Sequence, residues 1–198
     1  MKQIISVVVA VFVMCSSAIA GSNVTLKSGG SIRTNLGYGI VLNKESSLQR
    51  VWITIHDDTI LADLVGTVGV RTIYESGEQY SRGDYKYKDD YTVKTNQDLT
   101  AIEVRFLTFD IWGDHLRNLS ATDIVDLKSG ETRSFDAKWN VFSENEGSEH
   151  YASIAYIAQV RTKSGRVIKA DLNMVVKEAQ KFSARFKASD LEPEPKKK

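Results

Sequence analysis

The sequence has little cysteine and little proline. Its 198 residues include one cysteine, Cys15, and two prolines, Pro193 and Pro195, both close to the C-terminus. A single cysteine cannot form an intramolecular disulfide, so the fold must be stable without one. The chain is long enough to bury a hydrophobic core without such crosslinks.

The sequence also lacks an excess of charge of either sign. Lysine and arginine number 26 and aspartate and glutamate 25, which gives a formal net charge of +1. A nucleic-acid-binding domain usually carries a clear basic excess, often concentrated on one face. We therefore expect no nucleic-acid partner.

Only the N-terminus carries a long hydrophobic run. Residues 1–20 begin with a lysine, continue apolar from Ile4 to Met14 and end in Ala18-Ile19-Ala20, which is the layout of a secretory signal peptide. The run of about 11 residues is shorter than the roughly 20 that a permanent transmembrane helix needs. We predict cleavage near Ala20, a periplasmic or secreted mature protein, and no permanent membrane span.

Cleavage there would remove Cys15 and leave residues 21–198 without any thiol nucleophile. The alternative is a lipoprotein anchored through Cys15. A lipid-attachment site prefers small residues before the cysteine, but Val13 and Met14 stand there. The cleaved signal peptide is therefore the preferred interpretation.

Alternating apolar and polar residues predict strands in several stretches. The clearest are residues 51–56, 66–75, 99–112 and 151–161. A period of two with one polar face is typical of antiparallel sheet that is covered on one side. Because turn residues rather than helices separate these runs, residues 21–171 are predicted to form one β-sandwich or barrel. Residues 162–165, Thr-Lys-Ser-Gly, are expected to form the loop of a closing hairpin.

Two segments have helical patterns. Residues 172–187 place apolar side chains on one face and lysines and an arginine on the other, and Asp171 can cap the start. We expect this C-terminal helix to pack on the sandwich; docking to a partner or a membrane surface is the alternative. Residues 120–124, SATDI, predict a short turn of helix, and residues 188–198 predict a disordered tail.

Part of the chain resembles a known module. Residues 99–171 combine Phe106-Leu-Thr-Phe109-Asp110, the later Gly130-Glu-Thr and a closing hairpin. This combination resembles the small immunoglobulin-like FxLYD-type modules of exported bacterial proteins, although Phe109 stands where those modules usually have tyrosine. The resemblance implies an immunoglobulin-like antiparallel sandwich with a binding or structural role and no inherited catalytic residues.

Motifs for catalysis are not found. The sequence contains no Gly-x-Ser-x-Gly elbow, no Ser-x-x-Lys and no glycine-rich phosphate loop. His56, His115 and His150 each have acidic neighbours, but none has the spacing that fixes two metal ligands on one helix face. We predict no catalytic residues, no metal site and no cofactor.

Two stretches are candidates for recognition. Residues 143–151, SENEGSEHY, read as a solvated loop between strands, in which Glu144, Glu146 and His150 could contact a partner. Residues 74–91 contain five of the eight tyrosines, and Tyr85 and Tyr87 would share one face of a strand with lysines opposite.

Tyr85, Tyr87 and Trp112 could form an aromatic platform for a protein or a glycan. The alternative is that the tyrosines cover the edge of the core while the lysines protect a sheet edge. The sequence as a whole predicts a non-catalytic binding or structural module of the bacterial envelope whose partner is another envelope protein. A carbohydrate-binding or hydrolytic envelope protein is the second possibility.

Overall fold

A computed structural model describes residues 23–25, 31–43, 46–75 and 83–191. The predicted signal peptide at residues 1–20 and the last residues of the predicted tail, 192–198, lie outside the described residues. Two α helices, α1 (Glu144–Glu149) and α2 (Leu172–Phe182), and a 3-10 helix (Ala188–Leu191) accompany the strands. The strands in chain order are β1 (Asn23–Thr25), β2 (Ser31–Asn43), β3 (Ser46–Asp57), β4 (Ala62–Leu64), β5 (Arg71–Glu75), β6 (Asp84–Thr95), β7 (Leu99–Phe109), β8 (His115–Leu127), β9 (Thr132–Asn140), β10 (Ala152–Thr162) and β11 (Val167–Lys169).

In the described part of the chain, the strands form two sheets, which confirms the predicted β-sandwich. The larger sheet has the order β1-β2-β3-β10-β7-β8, with β11 also paired to β10. In the smaller sheet β6 is central, with β9 along one edge and β4 and β5 along the other. The hairpin loop predicted at residues 162–165 is present between β10 and β11, with Gly165 at φ +87°.

One pair of strands departs from the predicted antiparallel arrangement. β3 and β10 are parallel, with Val51–Ile55 in register with Ala152–Tyr156. These strands are about a hundred residues apart in the chain, so no hairpin dictates their direction. Short-range turn signals therefore could not indicate this pairing.

The main core lies between the two sheets. Phe106 of β7 is fully buried and contacts Tyr91 of β6 and Trp139 of β9, with ring centroids 5.9 and 5.2 Å apart. Trp52 of β3 donates from Nε1 to the carbonyl of Val70 across the sheets, at 3.2 Å. Aromatic and β-branched side chains from both sheets thus exclude water from one shared interior.

The opposite face of the larger sheet is covered by the C-terminal segment. Phe109 of β7 packs against Phe182 and Phe186, each at a centroid distance of 5.5 Å. The Nη1 atom of Arg105 lies 3.5 Å from the carbonyl of Leu191, and Asn118 donates to the carbonyl of Asp190 at 2.5 Å. The chain is therefore layered as small sheet, large sheet and C-terminal segment.

Three sequence predictions need correction. The helix predicted for residues 172–187 begins after its Asp171 cap as expected but ends at Phe182, and Phe186 then folds back to bury its ring. Residues 188–191 form a 3-10 helix with Leu191 buried, so the disordered tail does not begin at residue 188. Residues 120–124 lie inside β8, because pairing with β7 outweighs their weak helical signal.

We expect Phe186→Ala to lower the free energy of unfolding by about 3–5 kcal/mol, because it leaves a cavity beside Phe109 and His115. Urea denaturation followed by circular dichroism measures this loss. Lys187→Ala, at the exposed next position, is the control and should be close to neutral. Equal stabilities of the two variants would show that the C-terminal segment does not contribute to the fold.

The inner face of β6 carries one buried carboxyl group, that of Asp89. Burial raises its pKa to about 7, although backbone hydrogen bonds from Asp90 and Gly69 and the charge of Arg71 act in the other direction. In the unfolded chain the same group has a pKa of about 4. Between about pH 4 and pH 7 the native state therefore holds a proton that the unfolded state releases. As the pH rises through this range, the contribution of Asp89 to the free energy of unfolding falls.

Asp89→Asn should remove this penalty and raise the free energy of unfolding at pH 8, by on the order of 2–4 kcal/mol. Urea denaturation at pH 5 and pH 8 measures the effect, which should be larger at pH 8. Asp90→Asn is the control, because Asp90 is more exposed and pairs with Arg71 and Lys88. A gain of the same size at both pH values would argue against a buried, protonated Asp89.

Candidate functional site

Within residues 143–151, which were predicted to form an open loop, Glu144–Glu149 form the short helix α1. Ser143 caps α1, and its hydroxyl accepts a hydrogen bond from the amide of Glu146 at 3.1 Å. The serine followed three residues later by a glutamate is a helix-start signal. The prediction of a loop followed from the polar composition of the segment and did not include this signal.

The inner side of α1 closes the space between the sheets. The hydroxyl of Tyr87 donates to the carbonyl of Glu146 at 3.0 Å, and the Tyr87 ring meets the His150 ring edge-on at 5.1 Å. The Nδ1 atom of His150 lies 3.3 Å from the hydroxyl of Thr72. A cluster of β5, β6 and α1 side chains is thereby sealed from solvent.

A buried arginine influences this cluster. Arg50 precedes the parallel part of β3 and is 4% exposed. Burial, together with the positive charge of Arg50, lowers the pKa of His150 to about 3, so the imidazole is neutral at physiological pH. Burial, followed by the charge of Glu146, raises the pKa of Tyr87, so its phenol keeps its proton.

An exposed aromatic ring lies just before α1 in the chain. Phe142 is 72% exposed, its amide donates to Oε2 of Glu146 at 3.0 Å, and the Arg117 guanidinium lies 4.1 Å from its ring centroid. Arg117 also donates to the carbonyl of Asn140 at 2.7 Å and pairs with Glu146 at 3.4 Å. Phe142 is therefore held by Arg117 of β8 and Glu146 of α1 while its ring faces solvent.

The turn between β7 and β8 presents two more apolar side chains. Ile111 and Trp112 are 61% and 81% exposed. The Asp110 carboxylate accepts hydrogen bonds from the amides of Trp112 and Asp114 at 2.8 and 2.7 Å, which closes the turn. Gly113 adopts a φ of +81°, which few other residues tolerate.

The C-terminal segment forms polar contacts with this turn. Ser183 donates a short hydrogen bond to the carbonyl of Gly113, and Arg185 pairs with Asp114 at 2.5 Å. Trp112 thus stands on a turn that is tied to the fold at several points. An apolar side chain on a restrained turn loses little entropy when a partner covers it.

These features lie at one end of the sandwich, the end at which β6, β8 and β10 begin and β5, β7 and β9 end. We call it the α1 end. Phe109 is paired with both Ala152 and His115, and Arg117 joins β8 to the last residue of β9. Of the eight large hydrophobic side chains that are exposed among the described residues, four lie here: Tyr74, Ile111, Trp112 and Phe142.

The structure separates the predicted site residues into exposed and buried groups. Trp112 is exposed, Glu146 is half-buried, and Tyr85 is half-buried against Tyr74 at 5.1 Å between centroids. Tyr87 is fully buried and His150 is 1% exposed, which corrects the expectation that these two side chains contact a partner. The platform of Tyr85, Tyr87 and Trp112 is therefore not formed, because Tyr87 fills the core; Glu144 is the first residue of α1.

Sequence reasoning missed Arg50, Ile111, Arg117 and Phe142. The burial of Arg50 could have been suspected only from its position directly before the β-branched strand residues 51–56. Ile111 and Trp112 stand between Asp110 and Gly113-Asp114, and this turn composition predicts exposure of what lies between. That signal could have indicated the apolar turn.

The histidines do not form a metal centre in the described part of the chain. His56 is buried and bonded to Asp63, and His115 contacts Asn118 at 2.9 Å. Over residues 23–25, 31–43, 46–75 and 83–191, no three histidine, cysteine, aspartate or glutamate side chains are grouped to hold a metal ion. Within the same residues no helix is both long and apolar enough to span a membrane.

Comparisons with known proteins do not assign a family. No protein-family model and no curated protein matches the chain. A hypothetical protein from Peptoclostridium difficile 630 shares 8% identity and a TM-score of 0.42, over 65% of this chain and 94% of its own. A member of the DUF1425 family from Shewanella sp. pv-4 shares 13% identity and a TM-score of 0.30, over 69% of this chain and 94% of its own. Neither similarity carries an inference about this chain's function.

The buried neutral His150 predicts instability in acid. The unfolded chain binds a proton at this residue below about pH 6.5, whereas the native state does so only near pH 3. Stability from this group is therefore lost as the pH falls from about 6.5 to 3, by about 1.4 kcal/mol per pH unit at most. Urea denaturation of the wild type and His150→Gln between pH 4 and 8 measures it.

The difference in unfolding free energy between wild type and His150→Gln should shrink as the pH falls, because only the wild type pays this cost. His115→Gln is the matched control, since His115 is half-buried and lies at the other face of the larger sheet. A wild-type minus variant difference that is independent of pH would contradict a neutral, buried imidazole.

Proposed function

We propose that this protein is an exported, non-catalytic binding module of the bacterial cell envelope, and that its partner is another envelope protein. The proposal of export depends on the signal-like residues 1–20. The resemblance of residues 99–171 to FxLYD-type modules is in line with a binding role. The α1 end is the surface that we assign to the partner.

One observation carries the proposal: Ile111, Trp112 and Phe142 are largely exposed at one end of the fold and are held in place by polar neighbours. Single exposed hydrophobic residues are common and need no explanation, but several at one end are typical of an interaction site. Tryptophan is enriched among the residues that dominate binding energy, especially where its surroundings are already ordered.

A carbohydrate ligand is the second candidate. The Trp112 ring and the half-exposed Tyr74 ring, which is paired with Tyr85, could stack on sugar rings at the α1 end. The burial of Tyr87 removes the central member of the aromatic platform and makes this alternative weaker. A glycan would be bound by the purified protein in the absence of any other protein.

Trp112→Ala should weaken binding of the partner. We expect the mature wild-type protein to capture one defined protein from crosslinked envelope, and the variant to bind that protein about 30-fold more weakly, the loss typical of a dominant interface residue. The interaction is then measured with the purified partner. Ile124→Ser is the matched control, because Ile124 is 91% exposed on β8 but lies away from the α1 end.

Unchanged binding by Trp112→Ala, or an equal loss in Ile124→Ser, would contradict the assignment of the α1 end. Binding of a purified glycan that is lost in Trp112→Ala would favour the carbohydrate alternative. Circular dichroism and thermal unfolding of each variant separate loss of binding from loss of folding.

A further inference from the structure

Arg50 is a buried charge without a partner in the described part of the chain. Its Nε and Nη1 atoms are inaccessible and form no hydrogen bond. Five other arginines of the described part of the chain pair with carboxylates: Arg71 with Asp90, Arg105 with Glu103, Arg117 with Glu146, Arg133 with Glu131 and Arg185 with Asp114. Arg50 is the one that β3 places between the sheets.

Arg50 lies on the same face of β3 as Trp52 and Thr54, because alternate residues of a strand point to the same side. Trp52 and Thr54, two and four residues further along, both form hydrogen bonds with the backbone of the segment before β5. On the adjacent strand β2, Gly39 is opposite Arg50 and Gly37 is opposite Trp52. Glycine has no side chain, so β2 contributes no group at these two positions to fill the space or neutralise the charge.

Within the described part of the chain, the two groups that interact electrostatically with Arg50 are uncharged. Tyr87 and His150 interact electrostatically with it, and both are neutral at physiological pH for the reasons given above. The Nε2 atom of His150 is also buried without a hydrogen-bond partner. On α1, the two carboxylate oxygens of Glu146 contact Arg117 and the amide of Phe142.

A lone buried guanidinium is costly. Taking an ion out of water costs several kcal/mol unless an opposite charge or hydrogen bonds compensate it. Burial accordingly lowers the pKa of Arg50. The planar fork of N–H donors fits the paired oxygens of a carboxylate or a phosphate.

We propose that Arg50 is the receptor of an interior anion site, which takes a small oxyanion carrying a carboxylate or phosphate group, with His150 Nε2 as a second contact. The Nε and Nη1 atoms of Arg50 are inaccessible, and the neighbouring His150 is the C-cap of α1, so in this proposal the anion enters when α1 moves aside. This six-residue helix is tied to the smaller sheet by the bond from Tyr87 and a longer one of 3.4 Å from Thr72 to Gly147.

Thermal unfolding in the presence of anions tests the site. Sodium phosphate and sodium acetate are titrated separately at constant ionic strength, with sodium chloride as the balancing salt. A ligand that binds only the native state raises Tm with the logarithm of its concentration, by several degrees at a hundredfold excess over Kd. We expect this rise for wild type with at least one anion, and the anion that acts distinguishes phosphate from carboxylate chemistry.

Arg50→Gln should lose the anion-dependent rise in Tm, and Arg50→Lys should keep a reduced one, because lysine retains the charge but not the fork. Arg133→Gln, an exposed control, should respond like the wild type. A rise that persists in Arg50→Gln, or the absence of any rise in the wild type, would overturn the proposal.

A measurement on the wild type keeps the test independent of whether the variants fold. The arginine Nε–H resonances are followed by NMR during the same titrations. The Arg50 resonance should shift and saturate with the anion, while that of Arg133 stays constant. A uniform small shift of all arginines would indicate nonspecific screening and overturn the site.

Discussion

The parallel pairing of β3 with β10 is the interaction on which the rest of the structure depends. It joins the β1-β2-β3 part of the larger sheet to the β10-β7-β8 part. The pairing begins where the amide of Val51 donates to the carbonyl of Tyr151 at 3.1 Å. The residues before these two are Arg50 and His150, so the same register that builds the sheet brings both buried basic side chains to one place.

The same register organises the α1 end. Phe109, the last residue of β7, is opposite Ala152, the first residue of β10. The β7–β8 turn therefore begins next to the residues that connect α1 to β10. The C-terminal segment then packs on Phe109 and ties Gly113 and Asp114, which holds Trp112 outward. The pairing of β10 with β3 and β7 thus places the unpaired polar atoms in the interior and the exposed apolar rings on the surface at the same end of the fold.

The sequence was most informative where a signal is local. The alternation in residues 51–56, 99–112 and 151–161 predicted the strands, the glycine of residues 162–165 predicted the hairpin, and Asp171 predicted a helix start. It failed where long-range contacts decide. The direction of the β3–β10 pair, the strand at residues 120–124 and the burial of Phe186 all depend on partners far along the chain. Tyr87 shows the limit for the site: alternating tyrosine and lysine is equally compatible with a buried and an exposed ring, and only packing under α1 decides.

α1 is the element that connects the two proposals. Its C-cap His150 interacts electrostatically with Arg50, and the carbonyl of Glu146 accepts a hydrogen bond from Tyr87. The side chain of Glu146 accepts a hydrogen bond from the amide of Phe142 and pairs with Arg117. Moving α1 to admit an anion therefore breaks the contacts that position Phe142 at the surface. Coupling between two binding sites is reciprocal in free energy, so a partner that holds Phe142 in place must oppose entry of the anion as strongly as the anion opposes the partner. We therefore expect the two binding events to oppose each other. Entry of the anion requires α1 to move, whereas binding of the partner requires the contacts of Glu146 with Phe142 and Arg117 to remain.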